Sequence, residues 1–355
     1  MPLRIAVPDM VSPSYFPAIA AVELGFFREQ GVDATIELVF PVTKTYEELR
    51  EGRLDFVGGA AHAPLYAFRD WAGCKLLCAL SQNMYWFLIV RSDLGIERGD
   101  LRALKGLRIG AAPGPADGLK RMLVDSGIDP EREVNIAPVP AAAGVSFGLA
   151  AASALEKRAV DGFWANGMAA EIALRGSAGT LVIDARRGDG PENAQHYTFS
   201  ALVATQKTID ERPDAAAAAI RAVVRVQRAL KNDPSLAAAA AKRHFPAAEL
   251  ALIPELVRRD APYYDPTISG ETVDSLNAFA RASGLLSGAP AVSVMSLPAV
   301  LDTAPSTLSV SADAVKLPVI EVAFSVTVSA PVPPSIATSV TPLGVAPRPN
   351  ASVSS

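Results

Sequence analysis

The residues able to do chemistry in this chain of 355 residues are few and widely spaced. There are three histidines and two cysteines. Cys74 and Cys78 stand four apart, where a helix end runs into a strand. A metal would need two further ligands close by and none is evident, so both read as core residues and no metal site is assigned. His62 follows a glycine pair, Gly58-Gly59, where a backbone can come close to a bound molecule. His196 precedes an apolar strand, and His244, in KRHFP, reads as a helix end. The stretch GAAPGPADGLK (110–120) lacks the GK-[ST] ending of a phosphate loop, and its Asp117 reads as a helix cap. There is no nucleophile elbow, no HExxH and no convincing carboxylate pair. The chemistry on offer is hydrogen bonding and aromatic contact, so no catalytic residue is assigned and no cofactor is expected.

Composition narrows the partners. A net charge of -4 gives no basic footprint for nucleic acid and no attraction to a membrane surface. No run approaches the roughly 20 apolar residues that span a bilayer, so membrane insertion is not expected. Met1-Pro2-Leu3-Arg4 leads directly into a strand, without the pattern of an export signal. Taken from that start, the chain would be cytoplasmic.

The elements that must position these residues alternate. Leu3–Val7 is a strand, followed by a polar loop and a helix with Pro17 in its first turn. Gly31 fits a left-handed stop, and near-alternation from Val32 to Phe40 is the period of a strand. Thr45-Tyr46-Glu47-Glu48 has the pattern of a capping box that starts a helix. Leu54–Val57 predicts a strand, Gly58-Gly59 the opening of a helix through Trp71, and 75–80 and 85–90 two more strands. Asp100 caps a short helix in the crossover that follows. A second alternating set fills 107–184, then a strand at 197–204 and an almost wholly helical stretch, 209–285. The rest holds ten of the 28 prolines, five charged residues and one aromatic, Phe324. It predicts a disordered tail, 286–355, with an isolated strand over Leu317–Val328.

Short-looped alternation of this kind predicts an α/β fold of two lobes, each a mostly parallel sheet flanked by helices. The expected division is 1–90 plus 205–285 for the first lobe and 91–204, with the hinge strands, for the second. Two crossings, near 88–93 and 199–205, form the hinge. Ligands in such sheets sit at the carboxyl ends of the strands, which places a cleft between the lobes.

At this level AIAAVELGFFREQGVDATIE (18–37) resembles the opening signature of ABC-importer solute-binding proteins for sulfonates, taurine and nitrate, and of their thiamine-pyrimidine-synthase-like relatives. LREGRLDFVGG (49–59), LKGLRIGAAPGPADGLKRMLVDSGIDPEREV (104–134) and AVDGFWAN (159–166) continue it in order, over about residues 3–285. The resemblance implies the two-lobed type 2 periplasmic-binding-protein fold. It also implies capture of a sulfonate-, pyrimidine- or aromatic-acid-like molecule, an ABC permease as partner, a monomer, and a place in the periplasm. Carried over by position, the ligand loops are Ser12, Ser14 and Tyr15; Thr43 and Lys44; Gly59, Ala60 and His62; Gln82 and Asn83, with Tyr85 and Trp86 near; Gly114 and Pro115; Ala141–Ala143; and Trp164 and Asn166. His196 and Tyr197 are weaker candidates. The relatives that make pyrimidine use a histidine near His62, which leaves an enzyme as an alternative function. Their cysteine-rich metal-binding signature is absent. A cytosolic sensor of the same fold is the third reading.

Overall fold

A computed structural model of the chain describes residues 1–140, 144–288 and 292–295. The disorder expected beyond residue 295, the strand over Leu317–Val328 and the loop Ala141–Ala143 lie outside the described residues.

The first sheet is built from β1 (Leu3–Val7), β2 (Ala34–Leu38), β3 (Phe56–Ala60), β4 (Cys74–Ser81) and one strand from much later in the chain. Helix α1 (Phe16–Glu23) joins β1 to β2, and α2 (Val42–Arg50) joins β2 to β3. The second sheet holds β5 (Phe87–Arg91), β6 (Arg108–Ala111), β7 (Asn135–Ala137), β8 (Gly162–Ala165) and β9 (Gly179–Asp184). Around it lie α3 (Pro115–Asp125), α4 (Phe147–Glu156) and α5 (Gly167–Arg175). Strand β10 (Ser200–Thr205) then returns to the first sheet. Helices α6 (Gln206–Glu211), α7 (Pro213–Asn232), α8 (Leu236–Ala241), α9 (Ala247–Asp260) and α10 (Gly270–Ala282) complete the described chain.

The strand orders are β2-β1-β3-β10-β4 and β7-β6-β8-β5-β9. They are the same pattern twice. Three parallel strands lie at one side, and an antiparallel strand is inserted between the third and the last. This corrects the lobe boundaries. A division after residue 90 cuts through β5, which pairs throughout with β8 and β9 in the second sheet. A division before 205 puts β10 in the second lobe, whereas it pairs with β3 and β4 in the first. An apolar strand at a junction belongs to whichever sheet has a vacant ladder, which its own sequence does not encode.

Three further expectations need correction. Helix α2 starts at Val42, ahead of the capping-box pattern, with no side-chain cap. The Thr45 hydroxyl instead donates back to the Val39 and Pro41 carbonyls, 2.5 and 3.2 Å away. Gly58 and Gly59 lie inside β3, opposite Leu202 and Ala201 of β10. A Cβ on Gly59 would come within 2.7 Å of the Tyr46 hydroxyl, so the glycine makes room for a core tyrosine. Two short 3-10 turns, Ala63–Tyr66 and Arg69–Trp71, replace the helix expected after it. Residues past 286 are also ordered where they are described. Leu286 and Val292 are buried, and Val294 bridges Leu76 in parallel, covering the outer edge of β4.

The helical stretch packs mainly on the first lobe. Along α7 the residues Ile220, Val223, Val224 and Leu230 are buried, while Arg225 and Arg228 are exposed. Buried Gln227 donates to the Ala79 and Leu80 carbonyls of β4 at 3.0 and 2.9 Å. Cys74 and Cys78 sit in β4, unbridged and buried, and burial pushes both thiols up to about 12. Thiolate is the reactive form. Native protein treated with iodoacetamide near neutral pH should therefore show no adduct by mass spectrometry, and two after denaturation. An adduct on folded protein would show β4 opening locally.

Candidate functional site

The carboxyl ends of β1, β2, β6 and β8 face one another across the two lobes and leave a narrow cavity of about 30 Å³ between them. From the first lobe come Pro8, Asp9, Ser12 and Tyr15 after β1, and Phe40 and Val42 after β2. Trp86, just before β5, forms part of the wall. From the second lobe come Ala112, Pro113 and Pro115 after β6, Phe147 at the start of α4, and Trp164, Ala165 and Asn166 at the end of β8. The surface is largely apolar and includes five aromatic side chains. Phe40 and Phe147 stack across the gap between lobes at 6.0 Å, and Trp86 lies 6.1 Å from Trp164. Trp164 is held by its Nε1–H, which donates to the Pro115 carbonyl at 2.9 Å.

The polar groups are few and almost all committed. The Asn166 Oδ1 caps α5 by accepting from the Met168 and Ala169 N–H groups at 2.9 and 3.1 Å. Its Nδ2 donates to Asp9 Oδ2 at 2.8 Å. The Gly148 N–H, in the first turn of α4, donates to the same oxygen at 3.0 Å, and the Val11 N–H donates to Oδ1 at 3.3 Å. Asp9 thus reaches from the first lobe into the second. The Tyr15 hydroxyl pairs with that of Tyr85 at 2.7 Å. The exception is Ser12, whose Oγ is buried and has no hydrogen-bond partner. A buried hydroxyl without a partner is costly, and at a cavity wall it is a group left for something else to bind.

Two other contacts tie the lobes. His62, fully buried after β3, places Nδ1 3.0 Å from the Thr198 hydroxyl and Nε2 3.1 Å from the Gly114 carbonyl. Asp117 Oδ2 is 3.4 Å from the same Nε2 and accepts from the Tyr66 hydroxyl at 2.6 Å. The other contact is Arg186, in the passage back to the first sheet. Its guanidinium meets Asp260 Oδ2 at 2.7 Å and donates to the Ser14 and Ser81 hydroxyls, each at 2.8 Å.

Of the residues expected from position, Ser12, Tyr15, Pro115, Trp164 and Asn166 line the cavity. The others are placed elsewhere. Ser14 is taken by Arg186. Thr43 and Lys44 lie in the first turn of α2, where Lys44 is exposed and 3.9 Å from Glu48; their neighbour Val42 is the one that faces the cavity. Gly59 and Ala60 are strand core. His62 packs edge-on between Trp86 and Phe279, outside the wall. Gln82 donates to the Asp265 and Thr267 carbonyls and Asn83 to that of Arg186. Those two line a separate polar depression with His196 and Glu271. Gly114 caps α3 and gives its carbonyl to His62. Asp117 lies in the first turn of α3 without capping it. Trp86, expected near the Gln82-Asn83 loop, also lines the cavity, and the residues that position alone did not select include Asp9, Phe40 and Phe147. The strand-end rule points at Asp9, two residues after β1, and at Phe40, two after β2.

Residues 12–237 match a family model described as NMT1/THI5 like. The chain belongs to the NMT1/THI5-like family. No curated protein matches it. Among solved structures, the alkanesulfonate-binding protein SsuA of Xanthomonas axonopodis pv. citri, bound to MOPS, superimposes with a TM-score of 0.63 at 15% identity, over 81% of this chain and 94% of that one. The periplasmic nitrate-binding protein NrtA of Synechocystis PCC 6803 gives 0.56 at 14%, over 68% and 65%. A Candida albicans protein described as having the generic periplasmic binding protein fold gives 0.59 at 12%, over 81% and 92%. The NMT1/THI5-like chain therefore has the two-lobed periplasmic-binding-protein fold. Asp9 lies ahead of the span that the family model matches. Among the described residues no cluster of three or more His, Cys, Asp or Glu could hold a metal, and no helix is long and apolar enough to cross a membrane.

Burial raises the Asp9 carboxyl above its ordinary 3.8, against the lowering effect of its hydrogen bonds from Gly148, Ser146, Val11 and Asn166. The folded protein of this NMT1/THI5-like chain then binds a proton that the unfolded chain has released. The Asp9 contribution to stability is complete below pH 3.8 and declines as pH rises through the raised folded value. Urea midpoints followed over about pH 4 to 7 should fall in the wild type relative to Asp9→Asn, which has no such proton to lose. Parallel curves would show that the site keeps Asp9 at its ordinary affinity for protons.

Proposed function

We propose that this protein is the solute-binding component of an ABC importer, closing its two lobes on a small organic molecule and delivering it to a permease at the outer face of the membrane. The observation that carries this reading is the largely apolar cavity walled by both lobes, with the Ser12 hydroxyl buried in it and unpartnered. Such a wall suits an apolar or flat body, and one or two polar groups fix its orientation. Because each lobe supplies part of the wall, a ligand stabilises the closed arrangement by touching both. Family membership and the binding proteins that share the fold support the same reading.

No catalytic step is proposed. Both ring nitrogens of His62 are engaged, and the ring packs edge-on against Trp86 and is not part of the cavity wall. The group that an enzyme of this fold would use here serves as a tie between lobes.

The test is a small-molecule screen by thermal shift, with tryptophan emission as second readout, since Trp86 and Trp164 both wall the cavity. A ligand at 100 times its Kd should add about 2.7 kcal/mol of stability. It should change the emission and reduce the radius of gyration in small-angle scattering. A ligand that binds with unaltered emission, and with unaltered affinity in Ser12→Ala, would place binding outside the cleft and overturn the reading.

A further inference from the structure

We propose that a trough along α10, outside the cleft, is a second binding site, which takes a primary ammonium carried on a flat apolar body and couples its occupant to the movement of the lobes. The site stands whatever the cleft holds.

Two openings form the trough. A polar depression of about 140 Å³ is bordered by Gln82, Asn83 and Glu271, and an apolar groove of about 230 Å³ by Tyr197, Ala278, Phe279 and Ala282. His196 and Ser275 line both, so the two are continuous. About 10–15 Å³ of such space holds one water, so each part has room for a piece of a small organic molecule. Along α10 the residues at the trough are Glu271, Ser275, Ala278 and Ala282, at i, i+4, i+7 and i+11, which is one face of a helix. That face runs from a carboxylate to two alanines, whose small side chains leave the groove open. Beside them the rings of Tyr197 and Phe279 stack with centroids 5.3 Å apart, an apolar surface for a flat body.

The polar end presents acceptors. The Gln82 amide nitrogen donates to the Asp265 and Thr267 carbonyls at 2.9 and 2.8 Å, and that of Asn83 to the Arg186 carbonyl at 3.3 Å. Those bonds fix which way each amide points. They leave Gln82 Oε1 and Asn83 Oδ1 without a hydrogen-bond partner among the described residues, and the Glu271 carboxylate has neither a hydrogen bond nor an ion pair there. The start of α10 is capped by Ser269, whose hydroxyl accepts from the Thr272 N–H at 3.1 Å. Two amide oxygens and a carboxylate match the three N–H groups of a primary ammonium and set one negative charge against its positive one. The arginine at the apolar end, Arg121, is already paired with Asp125.

Both chain passages between the lobes border the trough. Gln82 and Asn83 lie just before β5, and His196 and Tyr197 just before β10, while Arg121 belongs to α3 of the second lobe. An occupant therefore touches elements that shift against one another when the lobes turn, which couples its binding to that turn.

Calorimetry with phenethylamine, N-acetylphenethylamine and 3-phenylpropionate tests the site, since the three share a body and differ in charge. Phenethylamine should bind the wild type about ten times more tightly than the other two, or better, and Glu271→Gln should abolish that preference. Glu271 is exposed, so this variant alters charge without opening the core. The chain has three histidines, and the imidazole NMR signals missing from His196→Gln should be among those that phenethylamine shifts in the wild type. Saturating phenethylamine should change the radius of gyration in small-angle scattering. Equal binding of the three probes, a preference kept in Glu271→Gln, or unshifted His196 signals would overturn the site. Displacement of the amine by calcium chloride at matched ionic strength would overturn it in favour of a metal ion. An unchanged radius of gyration would overturn the coupling.

Discussion

Arg186→Ala should remove about 3–5 kcal/mol of folding stability, the cost of breaking a buried ion pair from one side. The Arg186 and Asp260 side chains are about 1% and 2% exposed and lie 2.7 Å apart. The guanidinium also donates to the Ser14 and Ser81 hydroxyls and lies 4.8 Å over the ring of Tyr263. Truncation leaves the buried Asp260 carboxylate with only the more distant Arg259 guanidinium, 3.7 Å from its other oxygen, and takes the donor from two buried hydroxyls. Arg186→Lys should recover only part of the loss, because a point charge cannot serve Asp260 and two hydroxyls in one plane as the forked guanidinium does. Urea unfolding measures both. A loss below about 1 kcal/mol for Arg186→Ala would mean that water reaches Asp260 and the pair is not sealed.

Gly114→Ala should weaken ligand binding by about tenfold or more, near 1.4 kcal/mol, through the closed state. Gly114 has φ +86° and ψ -70°, a conformation that side chains resist, which by itself costs on the order of 1–3 kcal/mol. A Cβ there would lie 2.5 Å from Val42 Cγ1. Gly114 belongs to the second lobe and Val42 to the first, so the collision exists only with the lobes together. It would also push the Gly114 carbonyl off His62. Scattering should show a larger radius of gyration for the variant in the presence of ligand. The double variant Gly114→Ala with Val42→Ala should regain part of the affinity, since it removes the collision and leaves the backbone strain. Equal affinities for Gly114→Ala and the double variant would show that strain alone is at work.

The sequence made the alternation of strands and helices legible, because hydrophobic period and glycine stops are local signals. The Gly31 stop, the Asp100 cap and the polar face of α7 are all of this kind. Thr45 misled because its hydroxyl found two carbonyls behind it, a choice made by the turn before the helix. Gly58 and Gly59 misled because a glycine that admits a tyrosine and a glycine that opens a loop look the same in a sequence. At the site, Ser12, Tyr15, Pro115, Trp164 and Asn166 were legible as strand-end residues, since that rule depends on order along the chain. Ser14, His62 and Gln82 have the same chemistry and the same kind of position, but scaffold partners claim them. Asp9 was hidden for the opposite reason. Its partners, Gly148 and Asn166, lie in the other lobe, and no spacing within one lobe reports them.

The interleaving of β10 between β3 and β4 has a consequence for synthesis. When the first 81 residues have left the ribosome, β3 and β4 have no ladder to share, because the strand that pairs with both is still more than a hundred residues away. The second sheet has no such gap, since β5 to β9 run from residue 87 to 184 without interruption. Loop closure over that distance makes the first lobe the slower one to assemble. Nascent chains halted so that residues up to about 195 are clear of the ribosome should resist brief proteolysis within 87–184 and be cut within 1–81. Equal protection of both would show that β3 and β4 hold together without their shared neighbour. The lobe that begins second along the chain is the one finished first.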